Sequence, residues 1–177
     1  MPQLASDSIR THVLYDSITL GAAAVTASLF QIPRGQAAKV KYDTNMVQAG
    51  QVPKGKNFEI LAVGWGWEYD GEGLIALGHA LGKGHWELNV SDKVWAEGEL
   101  FNTPMGPGYW ASQGGAALSF STGVNQDEPV ASNLWTLEYG ITLSDNEAFS
   151  VDFEWPAAPT AVKFWFMLYG REHRSLN

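Results

Sequence analysis

The chain contains no cysteine. That absence excludes disulfides, thiolate metal sites and cysteine nucleophiles together. Charge is scarce as well: Asp, Glu, Lys and Arg make up 17% of the 177 residues, with 11 basic against 19 acidic side chains. The formal net charge of -8 repels a phosphate backbone, so no direct nucleic-acid partner is expected. No apolar run approaches the ~20 residues of a membrane-spanning helix. The longest, residues 162–169, is interrupted by Lys163. The opening Met1-Pro2-Gln3-Leu4-Ala5-Ser6-Asp7 has neither the basic nor the apolar segment of a secretory signal, so synthesis in the cytoplasm is expected.

What the chain has in quantity is aromatic rings and glycine, with Trp 8, Phe 8, Tyr 6 and Gly 19 among a hydrophobic content of 45%. Aromatic side chains suit a pleated, half-buried surface, and glycines suit turns and bulges. The length fits one domain over residues 1–177, with a short C-terminal tail.

Period-two alternation runs through the sequence. Trp135, Leu137, Tyr139, Ile141 and Leu143 alternate with polar or small residues, which marks a strand with one buried face. Ser144-Asp145-Asn146-Glu147 supplies turn chemistry, and Phe149, Val151, Phe153 and Trp155 then alternate in turn. The pair reads as a hairpin. Residues 58–69 read as a long strand with Gly64 and Gly66 set around Trp65, placing a close approach or a bulge there. Residues 85–90 and 93–101 form a second hairpin about Ser91-Asp92, and 11–20, 24–32 and 38–43 are further strands. Residues 74–81 have room for a helical turn, but Gly73, Gly78 and Gly82 argue against a long helix. The Pro/Gly-rich stretch 102–115 reads as a long surface loop carrying Tyr109 and Trp110. Many short strands with Gly/Pro turns predict an all-β fold, a single jelly roll or two-sheet antiparallel β-sandwich of about eight strands.

Catalytic patterns are weak. Of the four histidines, His79 and His85 come closest to a metal set with Glu87. On a strand, His85 and Glu87 share a face, as a facial metal triad requires. A cupin-type His-x-His pair is missing, because Ala80 and Leu81 follow His79; ordinary hydrogen bonding is the expected role and no metal is expected. Gly78-His79-Ala80-Leu81-Gly82-Lys83-Gly84 has the wrong spacing for a phosphate loop. Glu138 and Glu154 suit, on paper, the two carboxylates of a small Trp-rich glycosidase, which need to lie ~5 Å apart across a cleft. Their regular alternation places both on solvent faces instead. No Gly-x-Ser-x-Gly elbow is present. Lys39-Val40-Lys41 and Lys54-Gly55-Lys56 read as edge-strand charges. Neither enzymatic activity nor a cofactor is expected.

The segment Tyr42-Asp43-Thr44-Asn45-Met46-Val47-Gln48-Ala49-Gly50-Gln51-Val52-Pro53, followed by Phe58-Glu59-Ile60, resembles part of a known structural family. So does the close of the chain, Phe149 and Val151 through Leu168-Tyr169-Gly170-Arg171-Glu172-His173-Arg174. The family is the small single jelly-roll major capsid proteins of tailless, membrane-containing icosahedral phages, such as those infecting Thermus. The resemblance implies a vertical single β-barrel without catalysis, built into a virion near the viral membrane. It also implies homo- or hetero-oligomers with copies of itself and with a second capsid protein. The alternative from the residues is a carbohydrate-active jelly roll, either a glycan-binding module or a small glycoside hydrolase.

The last apolar run is where an interface is expected. Val162, Phe164 and Phe166 lie on one face, Trp165, Met167 and Tyr169 on the other. A sandwich needs one face for its core, so the second packs on the loop at 102–115 or on another subunit. Candidate interface residues are therefore Tyr109, Trp110, Trp165, Met167, Tyr169, Arg171 and Arg174.

Overall fold

A computed structural model describes residues 8–20, 23–67, 84–103, 109–111, 124–126, 134–155 and 162–174. Among the described residues ten strands run in the order β1 (Ser8–Leu20), β2 (Val25–Leu29), β3 (Lys56–Trp67), β4 (His85–Val90), β5 (Lys93–Glu99), β6 (Tyr109–Ala111), β7 (Val124–Gln126), β8 (Trp135–Leu143), β9 (Phe149–Trp155) and β10 (Val162–Arg174). Eight of them form two four-stranded sheets, β1-β10-β3-β8 and β2-β9-β4-β5, and β6 pairs with β7 as a separate ribbon. Every pairing between named strands is antiparallel. The chain changes sheet between β1 and β2, β2 and β3, β3 and β4, β8 and β9, and β9 and β10. That repeated crossing, with the first and last strands side by side, is the winding of a jelly roll. The all-β, two-sheet fold expected from the alternation is the fold observed.

The hairpin expected of β8 and β9 is not formed. β8 pairs with β3 in one sheet, whereas β9 pairs with β2 and β4 in the other. Alternation reports which side chains point inward and says nothing about which strand lies alongside. The turn between them is pinned to other elements: Asp145 N–H donates to Asn57 Oδ1 at 3.1 Å, and Asn146 N–H donates to the Val52 carbonyl. The hairpin of β4 and β5 is formed as expected. Ser91 and Asp92 both have positive φ, the two-residue turn whose twist matches antiparallel strands.

Residues 38–43 are not a strand either. They form turns that lead into Asn45, whose side chain accepts from Tyr15 N–H and donates to the Val13 carbonyl. The connection from β2 to β3 thus satisfies the free edge of β1. Lys39 is not an edge-strand guard; its ammonium lies 2.5 Å from the buried Asp16 carboxylate. Residues 100–102 close β5 as a 3-10 turn, and β10 extends from Val162 through Arg174. The helical candidate at 74–81 and most of the long loop at 102–115 lie outside the described residues.

The two sheets meet over one cluster of aromatic and aliphatic side chains. A ring ladder crosses from one sheet to the other: Trp65 stacks on Phe164, Phe164 on Phe153, and Phe153 on Trp155, with centroids 5.7, 4.8 and 5.8 Å apart. Such offset contacts add to the burial of each ring. Gly170 is required by its position. A Cβ there would sit 1.8 Å from the carbonyl oxygen of Glu59, where β3 bulges between Ile60 and Ala62 against β10. Gly64 and Gly66 do not mark this bulge; they lie opposite Met167 and Trp165 and keep the outer surface of the sheet flat.

Candidate functional site

Alternation along β10 divides its side chains between two environments. Phe164, Phe166 and Leu168 are fully buried in the core, and Trp165, Met167 and Tyr169 are half-buried on the outer face of β1-β10-β3-β8. Register places Tyr15 beside Met167 and Val13 beside Tyr169 on β1. On the other flank stand Gly66, Gly64 and Ala62 of β3. An apolar stripe on a flat floor results. The Tyr169 hydroxyl donates to Met167 Sδ at 3.3 Å, and burial pushes the phenol's pKa up.

Trp165 is partly covered, by Tyr42 of the β2–β3 connection. Its indole N–H donates to the Tyr42 carbonyl at 3.1 Å and the rings meet edge to face, 5.1 Å apart. The Lys163 ammonium lies over both rings and pairs with Asp43. A hydrogen bond from Lys163, then one from the Val40 N–H, hold the Asp43 carboxyl below its ordinary pKa. Arg171 is exposed on the same outer face, opposite Glu59. Arg174 is not. It pairs with Glu172 on the opposite side of the strand, so the structure separates two residues that the sequence placed together. Tyr109 and Trp110 lie in the β6–β7 ribbon, and their side chains lie outside the described residues.

The outer face of the second sheet is acidic. His85 and Glu87 share a face of β4 as their spacing predicts, and Glu97 of β5 lies opposite Glu87. One ligand atom from each of these three falls within 4.8 Å of the others, a set able to hold a metal ion. His85 Nδ1 lies 3.1 Å from Glu99 Oε1, and its Nε2 lies 3.5 Å from Glu87 Oε1. Asp152 and Glu154 continue the face on β9. Among the described residues no Lys or Arg pairs with any of these five carboxylates. All three potential ligands are open to water, so a bound ion would keep part of its hydration shell. Glu97 was not singled out in the sequence because its place beside His85 depends on register. His79 lies outside the described residues.

Glu138 and Glu154 do not make a carboxylate pair. Glu138 is exposed on β8 of one sheet and Glu154 is exposed on β9 of the other. Retaining glycoside hydrolysis needs the two groups across a single cleft. Comparison of the chain with models of known families, with curated proteins and with solved structures finds no match.

Proposed function

We propose that this protein is a non-catalytic structural building block of the viral-shell type, which associates with copies of itself through the outer face of β1, β10 and β3. The observation that carries this reading is the stripe of Val13, Tyr15, Trp165, Met167 and Tyr169, half-buried on a flat floor of Gly64 and Gly66. These side chains contribute nothing to the core, which the inward faces of the two sheets already fill. Large apolar side chains gathered on one outer face mark an association surface more often than a solvated one. A jelly roll carrying its contacts on a sheet face suits repeated packing of identical units.

A stable contact of this kind buries on the order of 800 Å² per partner, with aromatic anchors near its centre. Met167 is the informative position, because it sits mid-stripe between Tyr15 and Gly64. Wild-type protein is expected to form oligomers in light scattering and ordered assemblies in electron microscopy. Met167→Lys is expected to give monomers with an unchanged β-type circular dichroism spectrum. A wild type that stays monomeric at high protein concentration overturns the proposal.

The shell reading also calls for a second capsid protein as partner, and co-expression with that protein is the natural extension of the test. The glycoside-hydrolase form of the carbohydrate-directed alternative has less support: its two candidate glutamates stand on different sheets.

A further inference from the structure

A second feature lies at the far end of the same sheet, on its inward side, away from the outer stripe. The ends of β1, β3 and β10 and the β2–β3 connection enclose a cavity of about 180 Å³. Its walls are of two kinds. Leu14, Val52 and Phe58 supply an apolar floor, and Arg10, Lys56 and His12 supply donors beside Glu172.

The charges at this site do not balance. Glu172, nearly fully buried, is approached by Arg10 at 2.9 Å, by Lys56 at 3.5 Å and by Arg174. Three cations thus share one carboxylate in a chain whose net charge is -8. Among the described residues Glu172 is the one acid of the charged groups that act on His12. Burial first, and then the charge of Arg10, lower the pKa of His12; Lys56 and Arg174 act in the same direction and Glu172 opposes them. Among the described residues Lys56 makes a single long contact, with Glu172, which leaves most of its donor capacity to spare. Arg10 spends Nε and one terminal nitrogen on Glu172.

We infer that this cavity is a binding site for a carboxylate carried on a short aliphatic body, with Lys56 and Arg10 taking the charge and Leu14, Val52 and Phe58 the hydrocarbon. Size limits the ligand. The volume lies below the ~300 Å³ at which sites for drug-sized molecules begin, so a small acid or one chain end fits. Charge-assisted bonds to Lys and Arg are among the stronger polar contacts. The same chemistry is offered by a free short-chain acid and by the C-terminal carboxylate of a peptide ending in an apolar residue. The inference does not depend on the assembly reading.

The test uses the full chain, with the His12 imidazole resonances and titration calorimetry as readouts. Probes are n-butyrate, n-butylammonium, inorganic phosphate, and a short peptide ending in valine with its C-terminus free or amidated. Butyrate is expected to bind saturably and to raise the His12 pKa, because it adds negative charge beside the imidazole. Butylammonium is expected not to bind. Tighter binding of the free-acid peptide than of butyrate, lost on amidation, assigns the site to a chain end; the reverse order assigns it to a free acid. Lys56→Gln is expected to weaken butyrate by roughly tenfold or more, the cost of one charged hydrogen bond. Leu14→Ala is expected to weaken butyrate and leave any phosphate binding unchanged. Binding of phosphate without butyrate, no response of His12 to either, or unaltered butyrate affinity in a folded Lys56→Gln protein overturns the inference.

Discussion

The hydroxyl of Thr103 accepts a 2.8 Å hydrogen bond from the indole N–H of Trp86, deep between the two sheets. The carbonyl of the same residue accepts from Trp65 Nε1, so one threonine serves a tryptophan from each sheet. A buried indole N–H without a partner is costly, and Thr103, which follows directly after the 3-10 turn at Leu100–Asn102, supplies an acceptor to both. Thr103→Val keeps the shape and the carbonyl but removes the acceptor for Trp86. A loss of about 1–3 kcal/mol is expected in urea unfolding followed by tryptophan fluorescence. Thr103→Ser should recover most of it.

Gly170→Ala is expected to be more damaging than its single methyl suggests. The added carbon meets the backbone of Glu59, which cannot rotate away as a side chain would. Overpacking of this kind costs about 3 kcal/mol at the upper end of its usual range. The denaturation midpoint should fall, and β10 amides should lose hydrogen-exchange protection beside the bulge first.

Asp16 is buried on β1 and accepts from Phe30 N–H at 2.6 Å and from Lys39 at 2.5 Å. It therefore holds both the positive-φ turn at Phe30 and the start of the β2–β3 connection. Removing one partner of a buried ion pair costs about 3–5 kcal/mol. Asp16→Ala is expected to fall in that range by thermal or chemical denaturation. Asp16→Asn, which retains an acceptor for Phe30, should cost distinctly less.

Stability should also depend on Glu172 in acid. Burial favours its neutral form, but hydrogen bonds from Arg10 and Arg174 and the charge of Lys56 outweigh this and lower its pKa from 4.5 to about 2. The folded value lies below the unfolded one, so folding is favoured by the charged carboxylate. That contribution is complete above the unfolded value of 4.5 and is lost as pH falls through about 2. Tm should be higher for the wild type than for Glu172→Gln at neutral pH, and the difference should shrink as pH drops from 5 towards 2. A constant difference across that window would remove the carboxylate from the account.

Much of this structure is local and was legible in the residues. Alternation at Phe149, Val151, Phe153 and Trp155 gave a strand with one buried face, and all four are buried. Ser91-Asp92 announced the β4–β5 hairpin, because short polar residues tolerate the positive φ that its turn requires. The spacing of His85 and Glu87 put both on one face of β4. The apolar outer face of β10 was visible in Trp165, Met167 and Tyr169, since period two sorts a strand's side chains whatever lies beside it.

Strand partners and exact register were decided only by tertiary structure. Counting back from the β4–β5 turn sets Glu87 against Ala96; the bulge at Trp95 moves the pairing by one residue, so that Glu97 joins His85 and Glu87. A one-residue shift transfers every later side chain to the other face. Tyr139, on the inward side by simple alternation, is 78% exposed where β8 departs from regular pairing with β3. Tyr42 over Trp165, and Arg10 and Lys56 beside Glu172, join residues far apart in the chain. Local pattern determined which side chains turn inward, because it needs only the pleat of a single strand. The docking of the connection on β1, the crossing of β8 and β9 between sheets, and the cationic cavity arose from packing between distant segments, where the energy depends on neighbours that no local pattern specifies.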